Sequence, residues 1–132
     1  MKAPLTVIVA IAILVGIALA KIDPIFDDSQ SYSDTVKIFF QNALEPALEE
    51  LKKDIGRYPT NIEGLSLLSH PPIEKELREK WRGPYIDFEL PPDPFGRPYQ
   101  YHCPGERNKN SYDVFGLGPD GIESKDDVGN WN

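Results

Sequence analysis

The chain has 132 residues, with 14 Lys and Arg against 21 Asp and Glu and a net charge of −7. That length holds one small domain, and the acidic balance excludes a nucleic-acid partner, because phosphate binding needs clustered basic side chains. Thirteen prolines and ten glycines point to a loop-rich fold, while six Tyr, six Phe and two Trp exclude disorder throughout.

Residues 1–20 form a distinct front end, in which residues 5–20 (LTVIVAIAILVGIALA) are continuously apolar between Lys2 and Lys21. As a helix this run would rise about 24 Å, slightly less than a hydrocarbon core of roughly 30 Å. Ala18, Leu19 and Ala20 before Lys21 also fit the small-x-small pattern of a signal-peptidase site. Two readings stand together: an inner-membrane anchor, or an export signal cleaved after Ala20 that releases a soluble form. Both place residues 21–132 outside the cytoplasm, in the periplasm. Residues 21–31 carry no periodicity and read as a linker, followed by a domain over 32–132.

In that domain Ser33 or Asp34 is positioned to cap a helix. Val36, Phe40, Ala43, Ala47, Leu51 and Ile55 recur at three- and four-residue steps, with Phe39, Leu44 and Leu48 widening the stripe. Pro46 either kinks this helix or starts a second segment, and Gly56 stops it. Thr60-Asn61-Ile62-Glu63 matches a capping box, in which hydroxyl and carboxylate satisfy each other's amides. A short helix over 61–69 follows, ended by Pro71 and Pro72, and a helical turn is expected over 73–81. Strands are expected at 85–88, 99–103 and 112–116, with a polar hairpin loop over 104–110. The fold class is α+β: a long N-terminal helix packed on a small three-stranded antiparallel sheet. Tyr58, Trp81, Tyr85, Tyr99, Tyr101 and Trp131 are expected to pack around the helix–sheet junction.

The last residues, 117–132, crowd Asp120, Glu123, Asp126 and Asp127 among Gly118, Pro119, Gly121 and Gly129, a composition that excludes regular helix or strand. Such carboxylates are either left to solvent or neutralised by a hard cation such as calcium, which takes six to eight oxygens; Trp131 favours a folded loop. The spacing is not that of an EF-hand, since Gly121 directly follows Asp120. One cysteine, Cys103, and two histidines, His70 and His102, are too few for a usual zinc site. His102 and Cys103 are neighbours on an expected strand and so face opposite ways, which excludes a nucleophile–base pair. Nothing fixes the separation of Asp87, Glu89 and Asp93 as paired acids. No catalytic residue is assigned and no enzyme activity is expected.

Several blocks in order carry a resemblance: residues 56–65 (GRYPTNIEGL), 81–85 (WRGPY), 92–101 (PDPFGRPYQY), and Tyr112-Asp113-Val114 with residues 118–121 (GPDG) and 129–131 (GNW). Together they resemble the major pseudopilins of the type II secretion system, the general secretion pathway protein G family. The resemblance implies a structural subunit of, or partner to, a secretion pseudopilus. Its partners would be other pseudopilins and inner-membrane components of the secretion system, with residues 5–20 in the membrane if uncleaved. It also implies a structural Ca2+ held by the carboxylates of Asp120, Asp126 and Asp127 and the main-chain carbonyls of Leu117 and Ser124. The front end departs from the family pattern. It has no Gly-Phe pair before the apolar run and no glutamate within it, a residue that in the family is thought to pair with a neighbouring subunit's amino terminus. The alternative is an exported or membrane-anchored calcium-stabilised binding domain that does not polymerise.

Overall fold

The computed structural model describes residues 28–131, and the chain divides into two units, Met1–Ser31 and Tyr32–Asn132, of which the second carries the fold. The expected anchor or signal over 1–20 lies outside the described residues, among which no helix is long and apolar enough to cross a membrane.

Three helical stretches follow one another without interruption: α1 (Asp28–Phe39), a π-helical turn (Phe40–Leu44) and α2 (Glu45–Ile55). The expected linker and caps are corrected here. Residues 28–31 are helical, and Ser33 and Asp34 lie inside α1. The apolar stripe begins only at Tyr32 and Val36, so the polar first turn carries no periodic signal. Pro46 takes the second of its two expected roles, sitting at the start of α2. A proline lacks the amide that a continuing α-helix needs and crowds the carbonyl one turn back. The wider π turn, closed by the Glu45 amide on the Phe40 carbonyl, lies immediately before it. Gly56 ends α2 as expected, with φ 90° and its amide 2.8 Å from the Lys52 carbonyl.

The stripe is the core. Val36, Phe40, Leu44, Leu48 and Leu51 are fully buried, with Tyr32, Ala47 and Ile55 nearly so; each large side chain removed from water contributes about 1.5–3 kcal/mol. Lys37, Glu49, Lys52 and Lys53 are exposed on the remaining surface.

The capping box forms as expected. The Thr60 amide donates to Glu63 Oε2 (2.8 Å) and the Glu63 amide to Thr60 Oγ1 (3.3 Å). Arg57 adds a forked pair to the same carboxylate at 2.7 and 2.9 Å. The helix beyond is tighter than expected, a 3-10 stretch at Gly64–Leu68 that buries Leu65, Leu67 and Leu68. The Arg57 hydrogen bonds hold the Glu63 carboxyl at about 2, below its ordinary 4.5. A depressed carboxyl stabilises the fold above its unfolded value, and that contribution is lost as pH falls through its folded value. Glu63→Gln is therefore expected to destabilise the domain by about 1 kcal/mol at neutral pH, after allowance for solvent screening. The deficit should vanish between pH 4.5 and about 2, which denaturation across that window would measure; a constant deficit would overturn the assignment.

The expected turn over 73–81 is α3 (Lys75–Lys80). The sheet is three-stranded and antiparallel in the order β1 (Gln100–His102), β2 (Asp113–Gly116), β3 (Val128–Gly129). Tyr101 pairs with Val114, and Phe115 with Gly129. Two of the expected strands are present in shortened form, but the third is corrected. Residues 85–88 are not in the sheet: the Tyr85 amide donates to the Leu68 carbonyl (2.8 Å) and its hydroxyl to Asp54 Oδ2 (2.7 Å), docking the segment on helical elements instead. The third strand is β3, inside the tail expected to hold no regular structure. The hairpin loop over 104–110 is closed from below by buried Asp113, whose carboxylate accepts the Arg107 and Asn108 amides at 2.8 and 2.9 Å.

Tyr58, Tyr99 and Tyr101 pack against the core as expected, whereas Trp81 and Tyr85 pair with each other among the helical elements rather than at the helix–sheet junction. Tyr99 lies edge-on to Phe40 (5.1 Å), Tyr58 edge-on to Tyr112 (4.7 Å), and Trp81 edge-on to Tyr85 (5.6 Å) while its indole donates to the Leu67 carbonyl (2.9 Å). Tyr101 donates to the Pro59 carbonyl (2.9 Å).

Candidate functional site: the C-terminal loop

Between β2 and β3 the chain makes the acidic loop. Gly118 and Gly121 adopt φ 67° and 71°, a conformation that glycine adopts at least cost. A side chain at Gly118 would press on the Asp126 carbonyl, and one at Gly121 on the Arg97 guanidinium. Arg97 reaches the loop from outside it, donating to the carbonyls of Gly118 (2.6 Å) and Pro119 (3.3 Å).

Ser124 is the centre of the loop. Its hydroxyl donates to Asp120 Oδ2 (2.9 Å) and accepts the Asp126 amide (3.2 Å), and its own amide donates to Asp127 Oδ2 (3.1 Å). Asp120 Oδ1 also accepts the Ile122 amide at 3.1 Å. The remaining oxygen of Asp127, Oδ1, is buried without a hydrogen-bond partner. Burial, with the charges of Asp120 and Asp126, pushes the Asp127 carboxyl above its ordinary value, while the Ser124 amide and the Arg107 charge pull against this. An unpaired buried carboxylate oxygen is costly.

Of the expected cation ligands, the structure brings Asp120, Ser124 and Asp127 into one hydrogen-bonded group. Asp126 joins through its amide, with its side chain exposed, and half-buried Leu117 leads from β2 into the loop. Among the described residues no three His, Cys, Asp or Glu side chains converge as a metal-holding group. The lone buried oxygen of Asp127 nevertheless fits a hard cation, which takes such oxygens together with main-chain carbonyls. The Glu123 carboxylate lies 3.6 Å from His102 Nε2 on β1, on the wall of a cavity that Ser124 and Asp127 also line.

Trp131 pins the end of the loop. Its ring covers Gly129 and packs on Phe115 (5.3 Å), with the Arg107 guanidinium 4.4 Å above it. Beside it a cavity of about 250 Å³ is lined by His102, Arg107, Asp113, Phe115 and Glu123. His70, Asp87 and Glu89 are exposed. Asp93 is buried, and its carboxylate accepts the Phe95 and Arg97 amides, both at 2.9 Å, which makes it the organiser of a turn. Arg97, and Tyr32 whose hydroxyl accepts the Gly118 amide (3.1 Å), carry no sign in the amino-acid sequence of their part in this region. The one local signal was the Asp93-Pro94-Phe95-Gly96 turn that aims Arg97.

Comparisons with known proteins agree over nearly all of the described residues. The family model for protein G of the type II secretion system matches residues 27–131. The type II secretion system core protein G of Klebsiella pneumoniae is 39% identical over 127 residues, covering 94% of this chain and 89% of its own. That of Vibrio cholerae is 37% identical over 130 residues, covering 95% and 87%. Among solved structures, the major pseudopilin from the type 2 secretion system of enterohaemorrhagic Escherichia coli superposes with a TM-score of 0.69 at 34% identity, over 80% of this chain and 87% of that one. The sequence blocks, the helix laid on a small antiparallel sheet and these matches lead to one conclusion: the chain belongs to the protein G family of the type II secretion system, the major pseudopilins.

Proposed function

We propose that the chain is a structural subunit of a type II secretion pseudopilus, acting without catalysis of its own. The observation that carries this reading is the match of the family model across residues 27–131, which takes in both the helical body and the C-terminal loop, together with the fold shared over 80% of the chain with a solved major pseudopilin. Residues 5–20 would hold it in the inner membrane, with the domain on the periplasmic side and other pseudopilins as neighbours. In the loop, the carboxylates of Asp120, Asp126 and Asp127 and the carbonyls of Leu117 and Ser124 would hold Ca2+. The cation would neutralise carboxylates crowded around Ser124 and give the buried Asp127 oxygen a partner.

The apolar run contains no glutamate, so no buried charge pair would set the register between copies. Self-assembly is therefore expected to be weak, and assembly with a pseudopilin that carries the glutamate to be efficient. Crosslinking in cells expressing the chain alone and with its neighbouring pseudopilins tests this. Mixed oligomers are the expected product. Long homopolymers of this chain alone would refute the weak-register claim, and no association under either condition would favour a non-polymerising binding domain.

A further inference from the structure

Tyr32, on α1, is the first residue of the second unit and is almost wholly buried. Its hydroxyl donates to Asp93 Oδ2 (3.3 Å) and accepts the Gly118 amide (3.1 Å), and so touches two segments far from it in sequence. A phenol offers one proton and accepts with its lone pairs, so both contacts are made at once. Asp93 uses its other oxygen to position the Arg97 amide (2.9 Å), and the Arg97 guanidinium returns to the Gly118 carbonyl (2.6 Å). Gly118 is thus held at its amide by Tyr32 and at its carbonyl by Arg97, and both holders are oriented by one buried carboxylate. The place is built to admit the phenol. At Gly116 a side chain would occupy the space of the Tyr32 hydroxyl, and the Phe95 ring lies 4.9 Å from the tyrosine ring.

We infer that the Tyr32 hydroxyl couples the docking of α1 to the order of the C-terminal loop, so that the two form and loosen as one unit. If the helix shifts, the Gly118 amide and Asp93 Oδ2 lose their partners in a place that water does not reach. If the loop opens, the hydroxyl loses its donor and Arg97 its acceptors. Such coupling is reciprocal by thermodynamic necessity. A cation bound in the loop would then be felt at the helix that leads toward the front of the chain. The inference itself stands on protein groups alone and is independent of the pseudopilus reading.

Hydrogen exchange read by mass spectrometry on the full-length chain in detergent, with chelator present, tests it. Tyr32→Phe keeps the ring and removes only the hydroxyl. It should speed exchange across residues 117–127 by about tenfold, the factor that corresponds to about one lost hydrogen bond. Ser124→Ala, which touches neither Tyr32 nor Asp93, should in turn speed exchange across residues 32–39. The double variant should fall short of the product of the two single effects. Responses confined to the altered segment, or effects that simply multiply, would overturn the coupling. Should Tyr32→Phe fail to fold, the Ser124→Ala arm decides alone: faster exchange at 32–39 supports the coupling, and no change there overturns it.

Discussion

Phe40→Ala is expected to lower the stability of the domain by about 3–5 kcal/mol, as for other large-to-small changes in a well-packed core. Phe40 is 1% exposed, opens the π turn, and has Tyr99 edge-on at 5.1 Å and Phe39 tilted at 6.3 Å. Removing the ring leaves a hole between the helix and the segment entering β1. The neighbours cannot close it, because Tyr99 is also stacked on Phe39 at 5.4 Å. Ile38, 58% exposed on the same helix, is the control: Ile38→Ala should change stability by less than about 0.5 kcal/mol. Denaturant midpoints at unchanged slope give both values. A loss of under about 1 kcal/mol at Phe40 would mean that the helix is held to the sheet mainly elsewhere.

Calcium is expected to raise the thermal midpoint of the full-length chain in detergent. A ligand that binds only the native state adds about 2.7 kcal/mol at a hundredfold excess over its Kd, a rise of about 10 °C or more for a domain of this size. The effect should centre on Asp127, whose Oδ1 is buried and unpartnered, and on Asp120, joined to it through Ser124. Asp127→Ala and Asp120→Ala should each remove most of the calcium-dependent shift, while Glu123→Ala, whose carboxylate lies beside His102, should remove little. Melts with calcium and with chelator decide the matter, and equal midpoints at millimolar calcium would exclude the cation from the loop.

Elements marked by side-chain chemistry between near neighbours are legible in the amino-acid sequence. The Val36–Ile55 stripe, the Gly56 stop and the reciprocal Thr60–Glu63 cap each depend on neighbours within one or two turns. The third strand is not legible in this way, for a physical reason. Residues 85–88 alternate like a strand, yet the Tyr85 amide is taken by the Leu68 carbonyl and its hydroxyl by Asp54. Val128 and Gly129 carry almost no strand signal and pair only because β2 presents an open edge. In the candidate site, the acidic residues stand out as a cluster in the sequence. Arg97 and Tyr32 do not, since each reaches the loop across a long stretch of chain, and such partners leave no local pattern.

The π turn bears on how one helical body keeps a single face to the core. Buried positions recur mostly every fourth residue, and an α-helix of even pitch gains about 40° of rotation with each such step. From Tyr32 to Ile55 that drift would leave the two side chains about 140° apart around the axis, too far for both to face one sheet. Both are buried in the same core. A turn that takes more residues per revolution winds part of the drift back, so the stretch at Phe40–Leu44 acts as a phase correction midway along the body. Without it, a helix that seated Ile55 would swing Tyr32 away from Asp93 and Gly118.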